Sequence, residues 1–196
     1  MGLTMNKTNV YSSVTALLVI SLFSKVLAQD ETAHPPINTM ADPWEVSDWF
    51  NSSPLELENL RGNVVLVRWW TGPSCPFCLK SAESLNELYD NYSDRGLVVI
   101  GLYHHKSYEP LDKKNIKQYS DNMGFQFPVA IDHDWKTLKK WWLYCPNRSW
   151  TSVSFLIDKN GIIRYVHPGG QYVLGSSGYQ EMKNTIEVLL GEDVAR

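Results

Sequence analysis

The chain has 196 residues, 43% of them hydrophobic, and a formal charge of −3 at neutral pH. That length builds one well-buried domain and is too short for two large ones. The charges are near balance with no basic block or stripe, which excludes an electrostatic footprint for nucleic acid.

The N-terminus reads as a targeting segment. Lys7 is the only charge ahead of a run from Val10 to Leu27, whose centre, Val14 to Phe23, is uncharged. Val26-Leu27-Ala28 stands where a signal peptidase reads, so residues 1–28 are expected to be a signal peptide cleaved after Ala28. The competing reading is an uncleaved N-terminal anchor, although the run is short for a span of ~20 residues. Both readings export the folded part, to a periplasm or the extracellular space, and leave a membrane contact only through this segment. Residues 29–43 are polar, with Pro35, Pro36 and Pro43, and read as an extended, mobile linker. One domain, residues 44–196, follows. It opens on Trp44, Val46, Trp49 and Phe50, an aromatic segment expected to lie against it.

The centre of the chain is Val64 to Cys78. Val64 to Trp70 is an apolar β-type run, broken by the turn residues Thr71-Gly72-Pro73. Cys75 and Cys78 follow, then Leu79, Ala82, Leu85, Leu88 and Tyr89 at helical spacing. The stretch reads strand, tight turn, helix, with the helix over Pro76 to Tyr92 and Cys75 at its start. Unsatisfied N–H groups and a partial positive charge at a helix N-terminus favour an anion. A thiol held there loses its proton more readily, and the thiolate is the reactive form. Cys78 lies one turn on and can reach back to close a disulfide.

Gly96 is a candidate helix cap. Leu97 to Leu102 is a continuous apolar run of the kind found in buried parallel strands. His104 and His105 follow it, at the sheet edge where open α/β folds place their sites. Asp112 to Met123 predicts a helix, Phe127 to Asp132 a short strand, and Trp135 to Tyr144 a second helix. Val153 to Asp158 and Ile162 to His167 form a hairpin across Asn160-Gly161, and Tyr179 to Leu190 is the last helix. A parallel start and an antiparallel finish give an α/β fold with a mixed central sheet and helices on both faces.

This order resembles the thioredoxin superfamily, with an inserted strand–helix, Phe127 to Tyr144, before the final hairpin. The phrases "LRGNVVLVRWW", "FPVAID" and "SFLIDKNGIIRYVHPG" resemble the TlpA/ResA type, exported redoxins related to the AhpC/TSA proteins. The resemblance runs from about Trp44 to Leu190. It implies thiol–disulfide exchange through Cys75 and Cys78, tuned by Pro76 and Phe77. It places the substrate-docking backbone at Thr151 and Ser152 and puts Trp70 beside the pair. Its expected partners are protein thiols and disulfides with a redox partner to reset the cysteines, and it requires no cofactor and no metal. Three departures stand out. Trp70 is five residues before Cys75 where the family places it four before, Ser81 stands where an acidic proton acceptor is usual, and Ser152 stands where thioredoxins carry a cis-proline.

Two other readings stay open. A peroxiredoxin-like thiol peroxidase would use Cys75 against peroxide, but Gly72 stands where the peroxidase pattern has Thr, and Arg148 and Arg164 are placed by no motif. A non-catalytic binding module would keep the pair as a structural disulfide. Cys145 reads either as a third redox thiol near the site or as a small buried residue. His104 and His105 read either as groups that stabilise a thiolate or move a proton, or as ordinary loop histidines.

Overall fold

The computed structural model describes residue 1 and residues 37–194. The signal-peptide reading of residues 1–28 lies outside the described residues. One sheet of six strands has the order β1-β4-β3-β2-β5-β6. The strands are β1 (Ser47–Phe50), β2 (Val64–Trp70), β3 (Leu97–Tyr103), β4 (Val129–Ile131), β5 (Ser154–Ile157) and β6 (Ile163–His167). β2, β3 and β4 run parallel, whereas β1, β5 and β6 pair antiparallel to their neighbours. Helices α1 (Pro76–Tyr92), α2 (Lys113–Asn122) and α4 (Ser177–Gly191) are regular, and α3 (Lys136–Leu138) is a single short turn.

β2 lies at the centre, and all seven of its residues are buried. Its period-2 alternation sorts two cores. Val64, Leu66 and Trp70 face one, with Leu85 and Leu88 of α1 and Met182 and Ile186 of α4. Val65, Val67 and Trp69 face the other, with Trp141, Trp142 and Phe155. Burying one such side chain stabilises the fold by about 1.5–3 kcal/mol.

The aromatic segment lies against the domain, as an edge strand, β1, pairing Ser47 with Ile131 and Phe50 with Val129. The end of the linker, from residue 38, is tied to the sheet. Asn38 donates to the Ile163 carbonyl at 2.7 Å, Ile163 to that of Thr39 at 2.9 Å, and Ala41 to that of Gly161 at 2.9 Å. The physical reason is the open edge of β6, whose backbone groups take any strand that reaches them. One expectation is corrected: the inserted helix is not regular. A 3-10 turn (His133–Trp135) leads into α3 and then a π turn (Lys139–Leu143). Asp134 and Trp135 both have positive φ, 54° and 59°. The wide turn lets the consecutive Trp141 and Trp142 both bury against Phe155, with ring centroids 5.4 and 6.2 Å away. Asp132 fixes the start of this segment. Its buried carboxylate accepts Trp69 Nε1 at 2.8 Å, Thr137 N at 2.9 Å and Leu138 N at 2.8 Å.

Candidate functional site

β2 ends at Trp70, the chain turns, and α1 begins with Pro76 at its first position. Cys75 is the N-cap, with extended φ/ψ of −97° and 100°, and its Sγ accepts the Cys78 N–H at 3.2 Å. Cys75 and Cys78 are joined as a disulfide, their Cα atoms 5.3 Å apart. The two sulfurs are not equivalent. Cys75 is partly exposed, while Cys78 is 2% exposed and belongs to the core. An attacking group from outside therefore meets Cys75 first.

The pair opens onto a groove of about 110 Å³, whose walls include Phe77, His104, Trp150, Thr151 and Ser152. Thr151 and Ser152 are buried at its edge, and the Gly170 N–H donates to Ser152 Oγ at 3.1 Å, holding this corner. No peptide bond of the described residues is cis, so the corner is built on a trans bond before Ser152. Phe77 meets Trp150 edge-on with centroids 5.3 Å apart, and Trp150 stays 53% exposed. Trp150 was missed by the sequence reading, since an aromatic residue in a loop carries no periodic signal.

His104 is fully buried and lines the groove. Its Nδ1 lies 2.9 Å from the Trp70 carbonyl. A carbonyl only accepts, so Nδ1 carries the hydrogen and Nε2 keeps a bare lone pair. That Nε2 has no partner among the described residues. Burial, then the charge of Lys106, push the imidazole pKa down to about 3, and Arg68 acts in the same direction. His104 is thus neutral at working pH.

Other candidates fall elsewhere. Trp70 is 1% exposed and packed against Tyr103 and Phe125; it does not line the groove, where its carbonyl is met by His104. Pro76 is exposed at the helix start and does not line the groove. His105 bonds Tyr103 Oη at 3.0 Å and the Glu109 carbonyl at 2.7 Å, and faces a neighbouring cavity of about 350 Å³. Cys145 is a free, half-buried thiol that does not line the groove. Arg148 stacks on Trp142 and Arg164 pairs with Asp158 and Glu192; neither lines the groove. No carboxylate lines it either. Glu83 points to solvent, and Ser81, one turn beyond Cys78, is buried against Arg68. Among the described residues no group of three or more His, Cys, Asp or Glu is arranged to hold a metal.

A parallel–antiparallel sheet with a CxxC disulfide capping its first long helix defines the thioredoxin-like class. The comparisons agree. A solved thioredoxin-like superfamily protein matches with a TM-score of 0.65 and 25% identity, covering 80% of this chain and 99% of its own. A thiol-disulfide isomerase from Corynebacterium glutamicum matches with a TM-score of 0.62 and 25% identity, over 80% and 98%. The thiol-disulfide oxidoreductase ResA of Bacillus thuringiensis (strain Al Hakam) is 30% identical over 165 residues, 80% of this chain and 86% of ResA. The protein DipZ of Mycobacterium bovis is 29% identical over 150 residues, which are 74% of this chain and only 21% of DipZ, so the chain spans about a fifth of that relative. The AhpC/TSA family model matches residues 37–166. The chain belongs to the AhpC/TSA family.

Proposed function

We propose that this protein is an exported thiol–disulfide oxidoreductase that exchanges its Cys75–Cys78 disulfide with protein thiols and disulfides. The observation that carries the proposal is the asymmetry of the pair: an accessible sulfur at a helix N-cap, bonded to a buried one. The Cys75 thiolate attacks a substrate disulfide and one substrate sulfur leaves with its electrons. Cys78, losing its proton, then attacks Cys75 and expels the second substrate sulfur. The reverse sequence oxidises a dithiol. His104 acts here as a neutral acceptor at the groove wall, where Nε2 accepts a hydrogen bond from a reduced thiol without taking its proton. Thr151, Ser152 and Trp150 border the strip along which a substrate segment lies. ResA, named a thiol-disulfide oxidoreductase, supports the exchange reading. Export rests on residues 1–28 of the sequence, and no helix of the described residues is long and apolar enough to cross a membrane.

The test is a side-by-side assay of the purified protein for disulfide exchange with a small protein and for peroxide consumption. Exchange lost in Cys75→Ser, with no peroxide turnover, is the expected outcome. Fast peroxide turnover dependent on Cys75 replaces this reading with a thiol peroxidase, and inertness in both replaces it with a structural disulfide.

A further inference from the structure

A charged side chain is buried in the central strand, against the helix that carries Cys78. The alternation of β2 turns Arg68 toward α1, and its side chain is 1% exposed. Nη2 donates to the Gly170 carbonyl at 2.7 Å and to Ser81 Oγ at 3.4 Å, and Nη1 to Ser154 Oγ at 3.3 Å. Every one of these acceptors is neutral. Nε has no partner among the described residues, and the face of the guanidinium rests over the Tyr172 ring at 5.0 Å. No carboxylate of the described residues forms an ion pair with it. An arginine keeps its charge even when buried. This is an uncompensated cation in the core, an arrangement that is costly to fold.

Its position relates it to the sulfurs. Ser81 is three residues beyond Cys78 on α1, a rise of about 4.5 Å along the axis. Ser152, at the groove edge beside Cys75, meets Arg68 at the same Gly170 carbonyl, its Oγ 3.4 Å from that oxygen. The other titratable groups around this point offer no negative charge. Tyr172 is buried and its phenol is pushed up by burial. His167, against the Tyr172 ring, is pushed down to about 4 by burial and then by Arg68. His104 is neutral and Lys106 is a cation.

We infer that Arg68 is the built-in counter-charge for a thiolate of the Cys75–Cys78 pair, and that it biases the pair toward accepting electrons from dithiol substrates. The inference rests on the exchange reading above. A disulfide carries no charge and a thiolate carries one, so the cation acts on the reduced form alone. Stabilising the reduced form makes the disulfide a stronger oxidant. In that direction a substrate thiolate attacks Cys75 Sγ, and the electron pair of the Cys75–Cys78 bond leaves on Cys78. The second substrate thiol gives its proton to solvent and attacks its partner sulfur in the mixed disulfide, releasing Cys75 as a thiolate. The substrate loses two electrons and becomes a disulfide, and the pair gains them. Arg68 touches neither substrate nor sulfur in these steps; it is a positioning residue that acts through its field.

The experiment compares the full chain with Arg68→Gln, which removes the charge, and Arg68→Lys, which keeps it. Each protein is equilibrated with reduced and oxidised glutathione, the pair is trapped by alkylation, and Cys75 is titrated by thiolate absorbance. Arg68→Gln is expected to accept electrons about tenfold less readily, equivalent to about 30 mV for a two-electron couple, and Arg68→Lys to stay near the parent. In Arg68→Gln, Cys75 should titrate about one unit higher than in the parent. An unchanged potential in folded Arg68→Gln, or an equal loss in both variants, overturns the inference. Should Arg68→Gln fail to fold, the parent's own titration decides. A parent Cys75 that titrates at or above the ordinary ~8.5 overturns it without any variant. A parent that exchanges normally beside an unaltered Arg68→Gln sinks only this inference, whereas a parent inert toward every dithiol and disulfide sinks the exchange reading and this inference together.

Discussion

His104 makes the acid stability of the protein a direct probe of the site. Folded, its imidazole sits near pKa 3 because burial disfavours the cation, with Lys106 and Arg68 adding to the effect. Unfolded, it returns to about 6.5. A depressed folded pKa gives stability that is complete above the unfolded value and is lost as pH falls toward the folded one. The window for His104 is therefore about pH 6.5 down to about 3. At pH 4 the unfolded state has gained a proton over about 2.5 units, at about 1.4 kcal/mol per unit, so the loss is about 3–4 kcal/mol. The perturbation that isolates it is His104→Gln. The amide fits the site, can still donate to the Trp70 carbonyl, and cannot be protonated. Urea unfolding followed by tryptophan fluorescence, from about pH 7 to pH 4, gives the stability difference between the two proteins. Carboxylates and His167 contribute equally to both and cancel. The parent's advantage at neutral pH should shrink by about 3–4 kcal/mol by pH 4. A difference that stays constant with pH refutes the argument, because His104 would then titrate alike in folded and unfolded chains.

Other outcomes follow from the same geometry. His104→Gln should also leave the exchange rate without an inflection near pH 6.5, as in the parent, since the imidazole is neutral throughout that range; a parent inflection there that the variant lacks would contradict the neutral assignment. Asp132→Ala strips the acceptor from three buried donors and should lower stability by about 3 kcal/mol, read as a drop in Tm, with the redox potential unchanged. Trp150→Ala removes the partner of Phe77 and should slow exchange with protein substrates about fivefold while sparing a small dithiol; an equal loss with both would mean that Trp150 supports the fold and not the docking strip. Gly169→Ala should weaken both stability and exchange, because at φ 125° its new Cβ would stand 2.4 Å from the Trp150 Cβ; a melting temperature and rate equal to the parent's would count against that packing.

The strand–turn–helix around Cys75 was legible because everything that defines it is local. A continuous apolar run gives way to turn residues, then to a 3.6-residue period, and the proline after Cys75 fits the first helical position. The edge strand Ser47–Phe50 was not legible, since four residues with Asp48 at φ 53° carry no alternation and the pairing with β4 is made across a long stretch of chain. The inserted helix failed for a related reason: tertiary burial of two adjacent tryptophans selected a π turn over the regular helix their spacing suggested. The resemblance puts Trp70 beside the pair, and strand alternation puts Trp69 and Trp70 in opposite cores, both fully covered. His104 was legible as a position at the sheet edge and illegible as a chemistry, because its tautomer is set by a carbonyl 34 residues earlier in the chain. Arg68 carried a signal of its own, a charge inside an apolar central strand, whose meaning depends on the neutral ring of acceptors that only folding assembles.

The account turns on Cys75 being the sulfur that substrate meets and Cys78 the one that releases it. Cys78→Ser removes the release step and leaves Cys75 free to form the mixed bond. The decisive measurement is mass spectrometry of that variant after exposure to a disulfide substrate, with the modified residue mapped by peptide. One substrate adduct on Cys75, stable until a reductant is added, is the predicted result. An adduct confined to Cys145, or a Cys75 that remains unmodified, would contradict the account.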